Sequence, residues 1–270
     1  AGALVARKHG IPWLTSATTS AALTDPFALV PNVQEWMIQQ FRGLQEEWGI
    51  APVHRPDYSP FGILAFTTRD FMGESTDIPE QTHFVGPSVT ERSKAADFPI
   101  DSLVGKGAIL VSVGTLNQER SSRFFQVAAD ALGNLGRPIV AIAPRDLLPQ
   151  WPSSFLVRPF VPQLEVLPHC SAVISHAGHN TVVESLLAGV PLVVAPIRDD
   201  QPVIAGQVVA AGAGVRVHFG RVRPSGLREA TLHVLEESSY RESARRLAQG
   251  FQEAGGAQSA SDTVEALWTF

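Results

Sequence analysis

Short apolar runs of four to six residues recur along the chain, separated by longer stretches whose apolar positions return every three or four residues. The first spacing predicts buried strands and the second predicts amphipathic helices. Strands are predicted at 108–113 (AILVSV), 138–142, 154–158, 172–175, 192–195 and 215–219. Helices are predicted at 121–135, 180–188, 203–211, 225–236, 240–254 and 260–267. Strands alternating with helices in this way predict a parallel sheet covered on both faces. Nearer the N-terminus the pattern predicts a helix at 1–8 stopped by Gly10 and strands at 11–15, 62–67 and 82–85. A helix at 32–48 opens at Pro31-Asn32 and carries Trp36, Ile38, Phe41, Leu44 and Trp48. The fold class is therefore α/β, with two doubly wound, Rossmann-like domains. Residues 1–90 read as the back half of the first domain, 91–105 as a linker and 106–254 as a complete second domain. A closing helix lies within 255–270.

The stretch 175–202, SHAGHNTVVESLLAGVPLVVAPIRDDQP, carries the most chemistry. In doubly wound sheets, ligands sit beyond the carboxyl ends of the strands. His176 follows a predicted strand, and Ala177-Gly178-His179-Asn180-Thr181 opens a helix. Unpaired amides and the dipole at such a start suit a phosphate or diphosphate. Gly178 allows close backbone approach, and Asn180 or Thr181 can cap the helix or donate to the phosphate. Glu184 shares a helix face with Asn180; it suits a ribose diol, or serves as an ordinary solvent-facing or capping acid. Asp200 and Gln201, at the next strand end, suit the hydroxyls of a polar ligand or a helix cap. The chain has neither the GxGxxG nor the GxxxxGK[ST] signature in the required place.

Composition narrows the function classes. A net charge of -5 with no Lys/Arg run gives no nucleic-acid surface. Cys170 is the only cysteine, so an intrachain disulfide or a Cys-rich metal site is excluded. No apolar run is long enough to span a bilayer, and cytoplasmic residence is expected. The chain opens inside a βα repeat without methionine, so further residues are expected upstream of Ala1.

The stretch resembles the donor-binding motif of nucleotide-sugar-dependent glycosyltransferases with two Rossmann-like domains, the GT-B fold. The likeness is greatest to the bacterial natural-product branch acting on macrolides, aromatic polyketides and enediynes. The family pattern, His-Gly-Gly-x-Asn/Gly-Thr/Ser, then Glu, Gly-Val-Pro, Pro and Asp-Gln, is matched here by His176, Gly178, Asn180, Thr181, Glu184, Gly189, Val190, Pro191, Pro196, Asp200 and Gln201. Ala177 stands where the pattern has its first glycine, a departure expected to crowd the phosphate loop slightly. Phe84-Val85-Gly86-Pro87 resembles the element before the interdomain linker. Val111-Ser112-Val113-Gly114-Thr115 resembles the first C-terminal strand and its turn, and Arg158-Pro159-Phe160-Val161-Pro162-Gln163 resembles the base-recognition loop.

The resemblance implies inverting transfer of a sugar from a TDP or UDP donor to a hydroxyl of a hydrophobic small molecule. It assigns the diphosphate to His176, Gly178, His179, Asn180, Thr181, Gly114 and Thr115. Phe160, Val161, Gln163 and Glu184 take the base and ribose, and Asp200 and Gln201 take the sugar. It implies no cofactor beyond the co-substrate and no metal. The general base, a histidine with an aspartate partner, is expected upstream of Ala1. Thr15, Thr18, Trp36, Met37, Phe71 and Met72 are candidates for an apolar acceptor pocket, with amphipathic helix core as the alternative for Trp36, Met37 and Phe41. The final helix would cross back to the first domain. Homodimerisation stays open, as do two other functions: a nucleotide-sugar epimerase, or a donor-binding helper without a general base.

Overall fold

The structure, a computed structural model, describes residues 2–24, 30–73, 78–90, 98–114 and 121–268. The chain divides into two compact units, Ala1–Ser88 with Glu253–Phe270, and Val89–Gln252.

In the first unit, α1 (Gly2–His9) leads to β1 (Thr15–Ala17), α2 (Pro31–Glu47), β2 (Ile63–Ala65), α3 (Arg69–Met72) and β3 (Thr82–Phe84). The strands form a parallel sheet in the order β1-β2-β3. Alternation along β2 sends Ile63 and Ala65 to one face, where they pack with Ala17, Leu23 and Met72. The first strand begins later than the predicted 11–15. Pro12 has no amide to donate, and pairing starts where Thr15 meets Ile63.

Two readings of this region change. Phe71 is 1% exposed and Met72 belongs to the core cluster, so both side chains fill the unit's interior and do not line an open acceptor pocket. Helix α2 is not a core helix: Trp36 is 57% exposed, Met37 is half-buried, and Gln45 is its only buried residue. Gln45 ties the helix to the following loop. Its Nε2 donates to the Phe41 and Val53 carbonyls, and its Oε1 accepts from the Val53 amide at 2.9 Å. One polar side chain, satisfied on both ends, does the anchoring that an apolar stripe was expected to do.

The second unit runs β4 (Ala108–Ser112), α4 (Ser122–Leu132), β5 (Ile139–Ile142), β6 (Phe155–Arg158), α5 (Gln163–Val166), β7 (Cys170–Ser175), α6 (His179–Leu187), β8 (Leu192–Val194), α7 (Gln201–Ala210), β9 (Gly214–Arg216), α8 (Pro224–Glu236) and α9 (Ser238–Glu253). Its six strands are all parallel, in the order β6-β5-β4-β7-β8-β9. This is the doubly wound order, whose direction reverses between β4 and β7. Every residue of β4 and β8 and all but Ser171 of β7 lie inside. Continuous apolar runs are required there because helices cover both faces. Helix α4 contributes Phe124, Phe125, Ala128 and Leu132 to the same core, and the Phe124 ring stacks on Phe219 at 4.7 Å.

Residues 98–105, assigned to the linker from sequence, group with this unit, and Leu103 is 1% exposed. Residues 91–97 lie outside the described residues. After α9 the chain continues into α10 (Gly256–Leu267), four residues earlier than the pattern predicts. This helix groups with the first unit, where the Gly256 amide donates to the Val85 carbonyl and Ala260 packs with Leu64 and Val85.

Candidate functional site

The reversal in strand order opens a crevice beyond the carboxyl ends of β4 and β7. Two loops reach it. Gly114 follows β4, and His176-Ala177-Gly178 follows β7. The paired ends are in register, Ser112 beside Ser175, and the His176 amide faces the Ser112 carbonyl at 3.4 Å.

The His176 imidazole lies between the two glycines. A methyl group on Gly114 would stand 2.8 Å from Nε2, and one on Gly178 would stand 2.6 Å from it. Neither position accepts a side chain without moving the ring. Gly114 also has φ +74°, where a side chain is strained, whereas Gly178 has φ -64° and excludes a methyl on space alone. His176 is 8% exposed, and its Nδ1 is buried without a hydrogen-bond partner among the described residues. Burial holds the imidazole below its usual 6.5; the Ser112 carbonyl and then the Asp200 carboxylate pull the other way without prevailing. The ring is neutral at physiological pH.

Ala177, where the family pattern has glycine, is fully buried at φ +64°. Its departure acts through backbone conformation rather than by crowding the loop. The left-handed region costs an alanine about 1–2 kcal/mol. Ser175 offsets part of this: its Oγ accepts from the Ala177 amide at 3.2 Å and fixes the turn. Ser175 was not singled out in the sequence, although a serine closing a strand before a turn is a readable signal.

Helix α6 starts one residue earlier than predicted. Its N-cap is Gly178, which has no side-chain cap, so neither Asn180 nor Thr181 caps the helix. The first intrahelical bond is Val182 N–H to the Gly178 carbonyl. The amides of Asn180 and Thr181 in the first turn therefore have no partner within the helix and point out of its positive end. Asn180 is exposed, Thr181 half-buried and His179 buried at the first helical position. Thr115 lies outside the described residues.

Glu184 is 2% exposed on α6, and Gln163 opens α5. Gln163 Nε2 donates to Glu184 Oε2 at 2.6 Å, joining two residues assigned separately to base and ribose. Glu184 is neither a solvent acid nor a cap. Beside Gln163, Val161 is 2% exposed, so only its backbone can meet a ligand, while Phe160 is 65% exposed and presents an open ring face.

Asp200 occupies the N-cap position of α7 but makes no capping bond. Its charge acts on His176 instead, which places it at the crevice. Gln201 is 7% exposed, and its Oε1 accepts from the Ile197 and Arg198 amides at 2.9 and 3.1 Å. The oxygen is committed to the loop, leaving Nε2 for a ligand. Asp199, between them, sits at φ +57°, which aspartate tolerates.

Thr15 Oγ1 donates to the Asp57 carbonyl and accepts from the Ser59 amide, so its hydroxyl is structural. Thr18 is exposed. Among the described residues, no three His, Cys, Asp or Glu side chains gather as metal ligands, and no helix is long and apolar enough to cross a membrane.

A doubly wound domain with an open helix start beside a buried histidine at the strand-order reversal is the architecture of the second domain of the GT-B fold. The chain belongs to the UDP-glucoronosyl and UDP-glucosyl transferase family, whose pattern matches residues 89–253. It is 34% identical to an uncharacterized UDP-glucosyltransferase of Bacillus subtilis (strain 168), over 74% of this chain and 50% of that protein. It is 30% identical to the demethyllactenocin mycarosyltransferase of Streptomyces fradiae, over 98% of this chain and 61% of that protein. Among solved structures, the glycotransferase of kitacinnamycin superposes with a TM-score of 0.81 at 24% identity, covering 98% of this chain and 72% of that one. The chain thus spans about half to three-fifths of the length of these two curated relatives.

Proposed function

We propose that the second unit binds a nucleoside-diphosphate sugar, TDP- or UDP-linked, and that the protein transfers the sugar with inversion to a hydroxyl of a hydrophobic natural product. The observation that carries this reading is the neutral His176 held between Gly114 and Gly178 at the open start of α6. The diphosphate lies on the Asn180 and Thr181 amides, with the His176 Nε2–H donating to a phosphate oxygen. Those same donors stabilise the charge that grows on the diphosphate as the glycosidic bond breaks. Phe160 stacks on the base and the Val161 backbone reads its edge. Glu184, oriented by Gln163, accepts from the ribose hydroxyls. Asp200 accepts from sugar hydroxyls and Gln201 Nε2 donates to one. The acceptor's proton goes to a histidine upstream of Ala1, as the family resemblance implies. The mycarosyltransferase relative supports the natural-product side of this reading.

Calorimetry with UDP, TDP and their sugar conjugates tests the donor assignment. His176→Ala, Asp200→Ala and Gln201→Ala are each expected to weaken binding about tenfold, the loss of one charge-assisted contact. Unchanged affinity in all three sinks the site.

A further inference from the structure

The sheet of the second unit has a second charged edge, opposite the donor crevice. Residues 107, 137 and 189 precede β4, β5 and β8, and Ser171 is the second residue of β7, so all four mark the amino ends of these strands. Three arginines converge there. Arg137 donates from Nη1 to the Gly107 carbonyl at 3.2 Å, and Arg241 donates from Nη2 to the Ser171 carbonyl at 2.7 Å. The space beside Gly107 is closed by Arg137 and the Ser171 hydroxyl together, which puts the two anchored groups at one spot. Arg245, one helical turn beyond Arg241, lays its stem against Gly189.

Other arginines near helix ends have an ordinary explanation. Arg246 donates to the Ala211 carbonyl at the end of α7, and Arg228 to the Ala131 carbonyl in the last turn of α4. Both serve carbonyls that a helix C-terminus leaves open. Arg137, Arg241 and Arg245 differ. Among the described residues none of them forms an ion pair, and Arg245 has no hydrogen-bond partner. Burial lowers the pKa of Arg241 most, and the like charges of Arg245 and Arg137 lower it further. Like charges brought together and partly desolvated are unfavourable unless an anion joins them.

We propose that Arg137, Arg241 and Arg245 form a binding site for a phosphate-type anion at the amino edge of the sheet. Guanidinium forks suit a tetrahedral oxyanion, and two of the three are already fixed by backbone carbonyls. Strand β4 has five residues, so the site lies roughly 17 Å from the donor crevice. Its ligand is either a soluble phosphorylated compound or the headgroup of an anionic phospholipid.

The test uses the 270-residue chain saturated with UDP or TDP, so that the donor crevice is filled. Thermal melting is followed while inorganic pyrophosphate is titrated against sodium chloride of equal ionic strength. The unaltered chain is expected to show a saturable rise in melting temperature. Arg245→Gln, which removes no backbone contact, is expected to weaken it about five- to tenfold, with Arg137→Gln and Arg241→Gln as further variants. A rise no larger than that with sodium chloride, or equal affinity in Arg245→Gln, overturns the proposal. Flotation with phosphatidylglycerol or phosphatidylcholine vesicles separates the two sources. Binding to the anionic vesicles that Arg245→Gln abolishes identifies a headgroup; a pyrophosphate response alone identifies a soluble ligand.

Discussion

His176 Nε2 lies 2.6 Å from the place a methyl group on Gly178 would occupy. Because Gly178 is extended with an ordinary negative φ of -64°, an alanine there is tolerated by the backbone and opposed only by the ring. Gly178→Ala is therefore expected to turn the imidazole out of the crevice. Nucleoside-diphosphate affinity should fall about tenfold, near 1.4 kcal/mol, with the melting temperature little changed. Calorimetry beside a thermal melt separates the two effects. An affinity equal to that of the unaltered chain would show that the ring's position does not matter.

The Gln163–Glu184 bond makes a second prediction. Gln163→Leu removes the 2.6 Å donor from a carboxylate that stays buried. The loss of stability should be about 1–3 kcal/mol. Replacing both residues with leucine should recover part of it, since no carboxylate is then left behind. Urea unfolding of the two single variants and the double variant gives the coupling directly.

Acidification should weaken the fold through His176. Its folded pKa is below the usual 6.5, so between the two values the unfolded chain holds more protons. The stability this group contributes is complete above 6.5 and is lost as pH falls toward the folded pKa. His176→Gln should flatten that part of the stability profile. Denaturation midpoints taken from pH 7.5 to 5 would reveal it, and parallel profiles would exclude the histidine as the cause.

Cys170 should be chemically silent in the native state. The thiol is 5% exposed, its Sγ donates to the Val166 carbonyl, and burial pushes its pKa to about 12. Iodoacetamide at pH 8 is expected to label it only after denaturant is added, as mass spectrometry would report. Rapid labelling without denaturant would mean that β7 opens far more often than its burial suggests.

How much of this was legible in the sequence depends on whether the information is local. The central strands β4, β7 and β8 announce themselves, because a strand buried on both faces must be largely apolar. The helix start after His176 was readable for the same reason, as a glycine between a strand and a periodic segment. What the chain hides are contacts between distant segments. Nothing adjacent to Gln163 says that it will meet Glu184, and nothing adjacent to Gly114 says that it will pack against the His176 ring. Phe71 and Met72 misled because an apolar side chain reads alike in a core and in a pocket. Helix α2 misled more deeply, since its apolar spacing is real while its one buried anchor is Gln45.

The pairing of β4 with β7 bears on how the protein reaches its working state. The two walls of the crevice come from segments far apart in the chain, and they meet only when the central strands have found each other. Closing such a loop is entropically slow compared with forming a helix or a turn. The capacity to hold nucleotide should thus appear late in refolding, after most helical signal has returned. A fluorescent nucleoside diphosphate added during refolding would act as a clock for the arrival of the sheet's centre.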